Sequence, residues 1–147
     1  MTDGGLKHIL IKDNGCGIHP DDMAILCERH TTSKIRDFED LAALQSLGFR
    51  GEALCSISFV ARLTITTMQP GAEMGHKAEY KDSAMVGAPE PCAAVPGTCL
   101  QVDDLFYNVP NRRKALSSAS EEFKRIFDVM ARYAVYSTGG LPDHEAH

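Results

Sequence analysis

The sequence lacks several features that would place it in a class at once. Its 147 residues contain no apolar run near the length of about 18 residues that a membrane-spanning helix needs, and no signal peptide. The five cysteines are odd in number and form no Cys-x-x-Cys pair, which argues against a disulfide framework and a zinc site. The net charge of −5 gives no global attraction to nucleic acid, although a local basic patch is compatible with it. We therefore expect a soluble intracellular protein with reduced thiols.

Internal repeats and low-complexity tracts are also absent, and the chain has the size of one domain. Hydrophobic residues make up 44% of it. That is enough for a core, because a domain of about 150 residues buries roughly two-thirds of its unfolded surface. Predicted strands cluster beside helices without strict alternation. This pattern indicates the α+β class, with helices on one face of a mixed or antiparallel sheet.

Periodicity predicts the individual elements. Strands are predicted at residues 6–12, 62–67, 76–82 and 98–102. Four helices are predicted. The first starts at Pro20, the second follows a cap at Asp37, and the fourth follows the capping box Ser118-x-x-Glu121. The third spans residues 52–59, with Ala53, Leu54 and Ile57 facing inward. The last helix carries an apolar stripe of Phe123, Ile126, Phe127, Met130 and Tyr133. Three prolines, Pro89, Pro91 and Pro96, predict a loop over residues 84–96.

The first strand runs into the stretch Asp-Asn-Gly-Cys-Gly, residues 13–17. It is not a dinucleotide fingerprint, because Pro20 stands where a third glycine is needed, and the chain has no Walker loop. What remains is a carboxylate at a strand end, which can accept a hydrogen bond from an exocyclic amine. Neighbouring glycines would let a flat ring approach the backbone. The alternative is an ordinary Asp-Asn-Gly turn, which is the commoner meaning of such a stretch by itself.

Two further stretches point to phosphate. Gly48-Phe49-Arg50-Gly51 precedes a predicted helix, whose first backbone N–H groups attract anions, and Arg50 is one candidate to contact a polyphosphate. The stretch His-Thr-Thr-Ser-Lys-Ile, residues 30–35, offers hydroxyls and the ammonium of Lys34. A solvated loop is the alternative for that stretch alone. Three such stretches in one short segment favour a nucleotide site.

Taken in order, DNGCGI, TTSKI, GFRGEAL and DLFYNVPNRRKAL resemble the MutL family of DNA mismatch-repair ATPases. The resemblance covers roughly residues 4–140. LCERHTTSKIRDFEDLA and SEEFKRIFDVMARY are most similar to the eukaryotic MutL homologue that is the shared subunit of the heterodimers. The resemblance implies the GHKL ATP-binding fold, a two-layer α/β sandwich that gyrase and histidine kinases share. Weaker similarity to a GHKL kinase is the other resemblance.

The resemblance also implies ATP and Mg²⁺ as cofactors and gives residues their roles. Asp13 would accept a hydrogen bond from the adenine amine, Gly15 and Gly17 would make room for the base, and Thr98 would lie beneath it. The flexible lid over the nucleotide would include Thr32, Ser33 and Lys34. The phosphate cradle would comprise Arg50, Gly51, Glu52, Ala53 and Leu54. ATP would order the lid and so allow two N-terminal domains to dimerise.

The same resemblance implies the partners: a second MutL-homologue subunit, MutS-type mismatch-recognition proteins and DNA. It also implies that the protein acts in the nucleus and does not bind a membrane. Arg112, Arg113 and Lys114 follow Pro110 and are candidate DNA contacts. A solvated face or a salt bridge to nearby acids is the alternative for these three cations.

The sequence departs from the family in two places. The family has a helix before the first strand, with a glutamate that activates water and an asparagine that holds Mg²⁺, whereas this sequence starts only a few residues before that strand. We therefore expect a partial GHKL domain over residues 1–147, without a catalytic residue and inactive alone. Residues 141–147 lack alternation and contain Pro142, which predicts a frayed tail. The alternative function is a non-catalytic nucleotide-sensing or protein-interaction module.

Overall fold

A computed structural model describes residues 1–29, 52–116 and 118–138. The described chain contains five strands and helices of two kinds. In order these are the 3-10 helix Asp3–Gly5, β1 His8–Lys12, the 3-10 helix Pro20–Ile25, α1 Glu52–Val60, β2 Arg62–Met68, β3 Gly75–Lys81, β4 Ala84–Cys92, β5 Gly97–Asp103, α2 Pro110–Lys114 and α3 Ala119–Thr138. Neither the helix expected after Asp37 nor the tail 141–147 lies within the described residues.

The five strands form one sheet in the order β1-β5-β2-β3-β4, and every pair is antiparallel. Strands β2, β3 and β4 follow one another as hairpins, while β5 returns to lie between β1 and β2. The register pairs Lys12 with Cys99 and Thr67 with Thr98. The end of β1 is therefore beside the start of β5, and this places the Asp13 loop at the end of the sheet where β5 begins and β2 ends. The α+β class with an antiparallel sheet is confirmed.

One face of the sheet forms the hydrophobic core. Leu63 and Ile65 of β2 alternate with exposed or half-buried neighbours, as the sequence predicts, and Ala78, Tyr80 and Val102 join them from β3 and β5. Helix α1 and the 3-10 helix Pro20–Ile25 contact this sheet. The Tyr80 hydroxyl donates to the carbonyl oxygen of Met23 at 2.8 Å, which anchors the 3-10 helix over the strands. The opposite face of the central strands is polar.

Two predicted elements differ in detail. Strand β1 begins at His8 and not at residue 6, because Leu6 caps the 3-10 helix Asp3–Gly5. Helix α1 matches its predicted span to within one residue, but Ala53 is exposed. Cys55 and Ser58 are the buried residues of α1, with Leu54 and Ile57 packed at the edge of the core. The prediction that Ala53 faces inward was wrong because the helix lies rotated toward Cys55.

The loop predicted over residues 84–96 was also wrong, because most of it is β4. A two-residue turn joins β3 to β4, with positive φ angles of 51° at Asp82 and 70° at Ser83. Both prolines of β4 are tolerated because it is an edge strand in the described sheet. Its register against β3 shifts between Lys77 and Glu79, a bulge that leaves the stretch around Pro89 outside regular pairing.

Ser118 caps the start of helix α3 and forms one of the two hydrogen bonds of the predicted capping box. The backbone N–H of Glu121 donates to Ser118 Oγ at 3.4 Å, and that of Glu122 donates to the Ser118 carbonyl oxygen at 3.0 Å. The helix packs against the 3-10 helix Asp3–Gly5. Most of its apolar stripe is nevertheless exposed, namely Phe123, Phe127, Met130 and Tyr133. Within residues 1–29, 52–116 and 118–138, no helix has the length and apolar character needed to cross a membrane.

All five cysteines are free thiols in the structure. Cys27 is fully buried in the core beside the sheet, and this burial, with a smaller contribution from Cys55, raises the pKa of its thiol to about 12. Cys27 is therefore a structural residue. Cys16, in the loop after β1, is exposed.

Candidate functional site

Asp13 is held in place where β1 ends. Its backbone N–H donates to the Thr98 carbonyl oxygen at 2.9 Å, so the pairing of β1 with β5 extends by one residue. The backbone N–H groups of Thr98 and Gly15 donate to the same side-chain oxygen, Asp13 Oδ1, at 3.0 and 2.9 Å. Among the described residues, Oδ2 has no partner, and the side chain is exposed. The carboxylate is thus fixed through one oxygen and can accept a hydrogen bond from a ligand through the other.

Glycines allow the backbone to pack closely around this carboxylate. Gly97 has a φ of 121°, and a Cβ there would overlap the carbonyl oxygen of Asp13. Gly17 has a φ of 67°, and a Cβ there would overlap the carbonyl oxygen of Met68. Both positions therefore require glycine, since a side chain would be strained and would also collide with backbone. The backbone that Gly17 approaches closely belongs to β2. The role of Gly17 in making room for a base stays a prediction.

Thr67 joins the Asp13 loop to the sheet, although the sequence did not single it out. Its side chain is 2% exposed. Thr67 Oγ1 accepts from the backbone N–H of Ile18 at 2.8 Å, donates to the Gly97 carbonyl oxygen at 3.1 Å and lies 3.3 Å from Thr98 Oγ1. A signal was present, because Thr67 occupies an inward position after Leu63 and Ile65, where a hydroxyl needs buried partners.

These contacts unite three segments around one small site. Asp13 and Gly15 come from the loop after β1, Thr67 from β2, and Gly97 and Thr98 from β5. A rigid carboxylate, a half-buried hydroxyl and closely packed backbone are suited to recognise the polar edge of a flat heterocycle.

Comparison with known proteins agrees with this geometry. No protein-family model matches the chain. The chain is 48% identical over 137 residues to the DNA mismatch repair protein MLH1 of Saccharomyces cerevisiae, covering 93% of this chain and 18% of that protein. It is also 48% identical over 144 residues to the putative MutL protein homolog 1 of Schizosaccharomyces pombe, and 49% identical over 135 residues to the DNA mismatch repair protein MutL of Coxiella burnetii. These alignments cover 93% and 92% of this chain, and 21% and 23% of the respective relatives.

The solved structures agree with the sequences. The N-terminal domain of a DNA repair protein superposes with a TM-score of 0.72 at 33% identity, covering 90% of this chain and 37% of that one. The Aquifex aeolicus MutL ATPase domain complexed with ADP superposes with a TM-score of 0.63 at 27% identity, covering 87% of this chain and 43% of that one. The chain is similar to MutL-family proteins over nearly all of its length. It spans about a fifth of the length of the MutL-family proteins that it matches.

The structure describes only part of the predicted MutL phosphate cradle. Glu52, Ala53 and Leu54 form the first turn of α1, and Leu54 packs against the core. The described hydrogen bonds of the Asp13 loop run to β2 and β5, and not to Ala53 or Leu54. Five predicted nucleotide contacts lie outside the described residues: Thr32, Ser33, Lys34, Arg50 and Gly51. The roles of the whole cradle and lid therefore stay predictions.

No described cluster accounts for the Mg²⁺ that the MutL resemblance implies. Within the described ranges, no group of three or more His, Cys, Asp or Glu side chains could hold a metal ion.

The candidate DNA contacts lie on the short helix α2. The guanidinium carbon of Arg112 is 5.2 Å from the centroid of the Phe106 ring, while Lys114 is exposed and Arg113 is half-buried. None of the three forms an ion pair within the described part of the chain. Their role as DNA contacts stays a prediction. Phe106 has a φ of 62°. Its backbone N–H donates to the Val60 carbonyl oxygen at 2.6 Å, and this hydrogen bond links the turn before α2 to the end of α1.

A second polar cluster lies at the other end of β1. His8 Nδ1 is 2.6 Å from Asp103 Oδ1, and Gln101 Nε2 donates to Asp103 Oδ2 at 2.7 Å. Burial acts to raise the pKa of Asp103, but the hydrogen bonds from His8 and Gln101 outweigh it and hold that pKa below its usual value. A groove of about 620 Å³ adjoins the cluster and is lined by Arg62, Thr64, Lys77, Glu79, Gln101 and Asp103, among others. His8 and Asp13 are at opposite ends of β1, so this cluster is separate from the Asp13 site.

Proposed function

We propose that this chain is part of the ATP-binding and ATP-hydrolysing module of a MutL-type DNA mismatch-repair protein. One observation carries the proposal: two backbone N–H groups hold the Asp13 carboxylate through Oδ1 at the end of β1. Oδ2 is then oriented to accept from the adenine amine, while Gly97 and Gly17 let the surrounding backbone pack closely. The solved MutL ATPase domain that shares this fold was complexed with ADP, which supports a nucleotide in the same role here.

In this proposal each part of the chain has one task. Asp13 and Thr98 bind and orient the base. The start of α1 directs backbone N–H groups toward phosphate, together with Arg50 and Gly51. Thr32, Ser33 and Lys34 belong to the lid whose ordering by ATP promotes dimerisation of N-terminal domains. Mg²⁺ would offset charge on the phosphates when bound. The family resemblance gives the role of the general base that activates water to none of these residues.

We infer the wider setting from the same family. The partners would be a second MutL-homologue subunit, MutS-type proteins and DNA, and the place of action the nucleus. The eukaryotic relatives support the nuclear assignment, because a DNA mismatch repair protein and a putative MutL homolog of two nucleated organisms both match the chain. The similar identity to bacterial MutL proteins supports the mismatch-repair assignment and does not bear on the cellular compartment.

The experiment that tests the proposal replaces Asp13 by Asn in the full-length protein. A neutral amide can still accept from the adenine amine, but more weakly than a carboxylate, so ADP binding should weaken by roughly 1–1.5 kcal/mol, the difference between a charge-assisted and a neutral hydrogen bond. Isothermal titration calorimetry measures this change. Asp22→Asn is the matched control, because Asp22 is an exposed acid on the 3-10 helix Pro20–Ile25. Equal ADP affinities for wild type and Asp13→Asn would remove Asp13 from the site.

The alternative, a non-catalytic nucleotide-sensing or protein-interaction module, has one observation in its favour. The stripe on α3 exposes 53% of Phe123, 63% of Phe127 and 63% of Met130. Such an apolar surface is typical of a contact with another chain or segment. Phosphate release by the full-length protein separates the two functions, since only the ATPase module turns ATP over.

A further inference from the structure

The carbonyl groups at the end of helix α1 accept hydrogen bonds from outside the helix. The last hydrogen bond within α1 runs from the Ala61 N–H to the Ile57 carbonyl oxygen at 2.9 Å. Carbonyl oxygens beyond that point have no later helical N–H to accept from. Those of Ser58, Phe59 and Val60 accept instead from residues of two different turns. The fold around this helix end therefore fixes it in place.

The turn between β3 and β4 supplies one of the donors. The Asp82 N–H donates to the Ser58 carbonyl oxygen at 3.1 Å, and the Ser83 N–H donates to Ser58 Oγ at 2.9 Å. Ser58 is 1% exposed. The Ser83 hydroxyl in turn donates to the Cys27 carbonyl oxygen at 2.8 Å. These hydrogen bonds hold the buried side of α1.

The turn between β5 and α2 supplies the other two donors. Asn108 Nδ2 donates to the Phe59 carbonyl oxygen at 2.8 Å, and the Phe106 N–H donates to the Val60 carbonyl oxygen at 2.6 Å. Phe106 has a φ of 62° and Asp104 a φ of 53°, in a region that a bulky residue such as Phe106 rarely adopts. Backbone strain of this kind persists only where the surrounding structure imposes it. Here it places two donors on the end of α1 together.

These contacts set the direction in which α1 points. The helix has nine residues, so it is about 13 Å long, and a tilt of about 5° at one end moves the other end by about 1 Å. A displacement of that size is large for a group that must contact a ligand. In the proposed function the first N–H groups of α1 face the phosphates. Their position therefore depends on the hydrogen bonds at the opposite end of the helix.

We propose that Asn108 is a positioning residue for the phosphate end of the nucleotide, and that it acts through α1. This inference rests on the proposed nucleotide function. Of the three donors to the α1 carbonyl groups, Asn108 uses its side chain, whereas Asp82 and Phe106 use backbone N–H groups. A substitution at Asn108 therefore removes one anchor and leaves the others. The base end of the site is held separately, because Asp13 is fixed by Thr98 of β5.

The test compares ADP with adenosine, each measured on the full-length protein by displacement of a fluorescent ADP derivative. Asn108→Asp keeps the shape of the side chain but has no N–H to donate, and its charge is unfavourable at the carbonyl end of a helix. We expect ADP affinity to fall about three- to tenfold, the range that one net hydrogen bond supplies, and adenosine affinity to change by less than about twofold. Asn111→Asp is the matched control, because it makes the same change at an exposed position of α2 and should keep both affinities.

The ratio of the two affinities separates positioning from a general loss of structure. Partial unfolding would lower ADP and adenosine affinity by the same factor, whereas a tilt of α1 weakens the phosphate contacts alone. If Asn108→Asp is poorly folded, Asn108→Ala, which adds no charge, carries the same comparison. An unchanged ratio in a folded Asn108 variant, or an equal change of the ratio in Asn111→Asp, would overturn the proposal. Wild-type protein that binds adenosine as tightly as ADP would overturn this inference alone, whereas wild type that binds neither would overturn the nucleotide function.

Discussion

Two hydrogen bonds join Asp13 to Thr98, one through each backbone N–H, and they explain how a loop residue becomes rigid enough to recognise a base. The sequence predicted both residues, since an acid at a strand end and a threonine after Gly97 are visible in the motifs. Thr67 could not be assigned in the same way. Its role in joining the Asp13 loop to the sheet depends on the pairing of β2 with β5, which brings Thr67 opposite Thr98, 31 residues away in the sequence.

Gly97→Ala tests the close approach at residue scale. A methyl group there would overlap the Asp13 carbonyl oxygen, and alanine would also be strained at a φ of 121°. We expect the free energy of unfolding to fall by roughly 1–3 kcal/mol and ADP affinity to fall with it, because Asp13 must move. Gly71→Ala is the control, since Gly71 also has a positive φ, 81°, but has open space around it. Denaturant unfolding and ADP titration measure both effects. Equal losses in the two variants would show that backbone strain, and not the Asp13 contact, explains the change.

At the scale of elements, alternation and capping were reliable where packing agreed with them. Four elements occur close to their predicted spans: β2, β5, α1 and α3. The two strands and α1 direct apolar residues to the core, and α3 starts at a capping serine. The prediction of a loop over β4 was wrong because proline clusters are typical of loops as well as of edge strands. Proline is excluded from central strands, but the position of β4 at an edge depends on the topology of the whole sheet, which a local pattern does not contain.

Helix α2 carries the prediction for DNA. If Arg112, Arg113 and Lys114 contact phosphates, replacing all three by glutamine should lower the slope of log affinity against log salt by up to about three units, because each contact releases a counterion. Fluorescence anisotropy of labelled duplex DNA across a salt series measures the slope. Lys124→Gln with Arg132→Gln on exposed positions of α3 is the control. An unaltered slope in the α2 variant would favour a solvated face.

At the scale of the whole molecule, the fold is that of a MutL ATPase domain, while the chain spans about a fifth of the length of its relatives. Family motifs in the sequence were enough to predict this fold and the position of Asp13. They could not predict the spatial relation of the start of α1 to the Asp13 loop. That arrangement depends on long-range packing, and five of the residues concerned lie outside the described part of the chain.

A polypeptide of these 147 residues alone should show no measurable ATP turnover. The family resemblance gives none of its residues the role of general base, and such assistance contributes typically 10²–10⁴-fold. A coupled phosphate-release assay on this polypeptide, run beside the full-length protein, measures the difference. Turnover at a rate near that of the full-length protein would mean that a base lies within this sequence.

The most direct test of the adenine site at Asp13 is an ADP titration of ¹⁵N-labelled full-length protein, followed by the backbone amide signals. We predict saturable shifts at Gly15 and Thr98, whose N–H groups both donate to Asp13 Oδ1, and unchanged signals at Asp82 and Ser83 in the β3–β4 turn. The Asp13→Asn variant should show these shifts only at higher ADP concentration. Saturable ADP binding that leaves Gly15 and Thr98 unshifted, or that is the same in Asp13→Asn, would contradict the account.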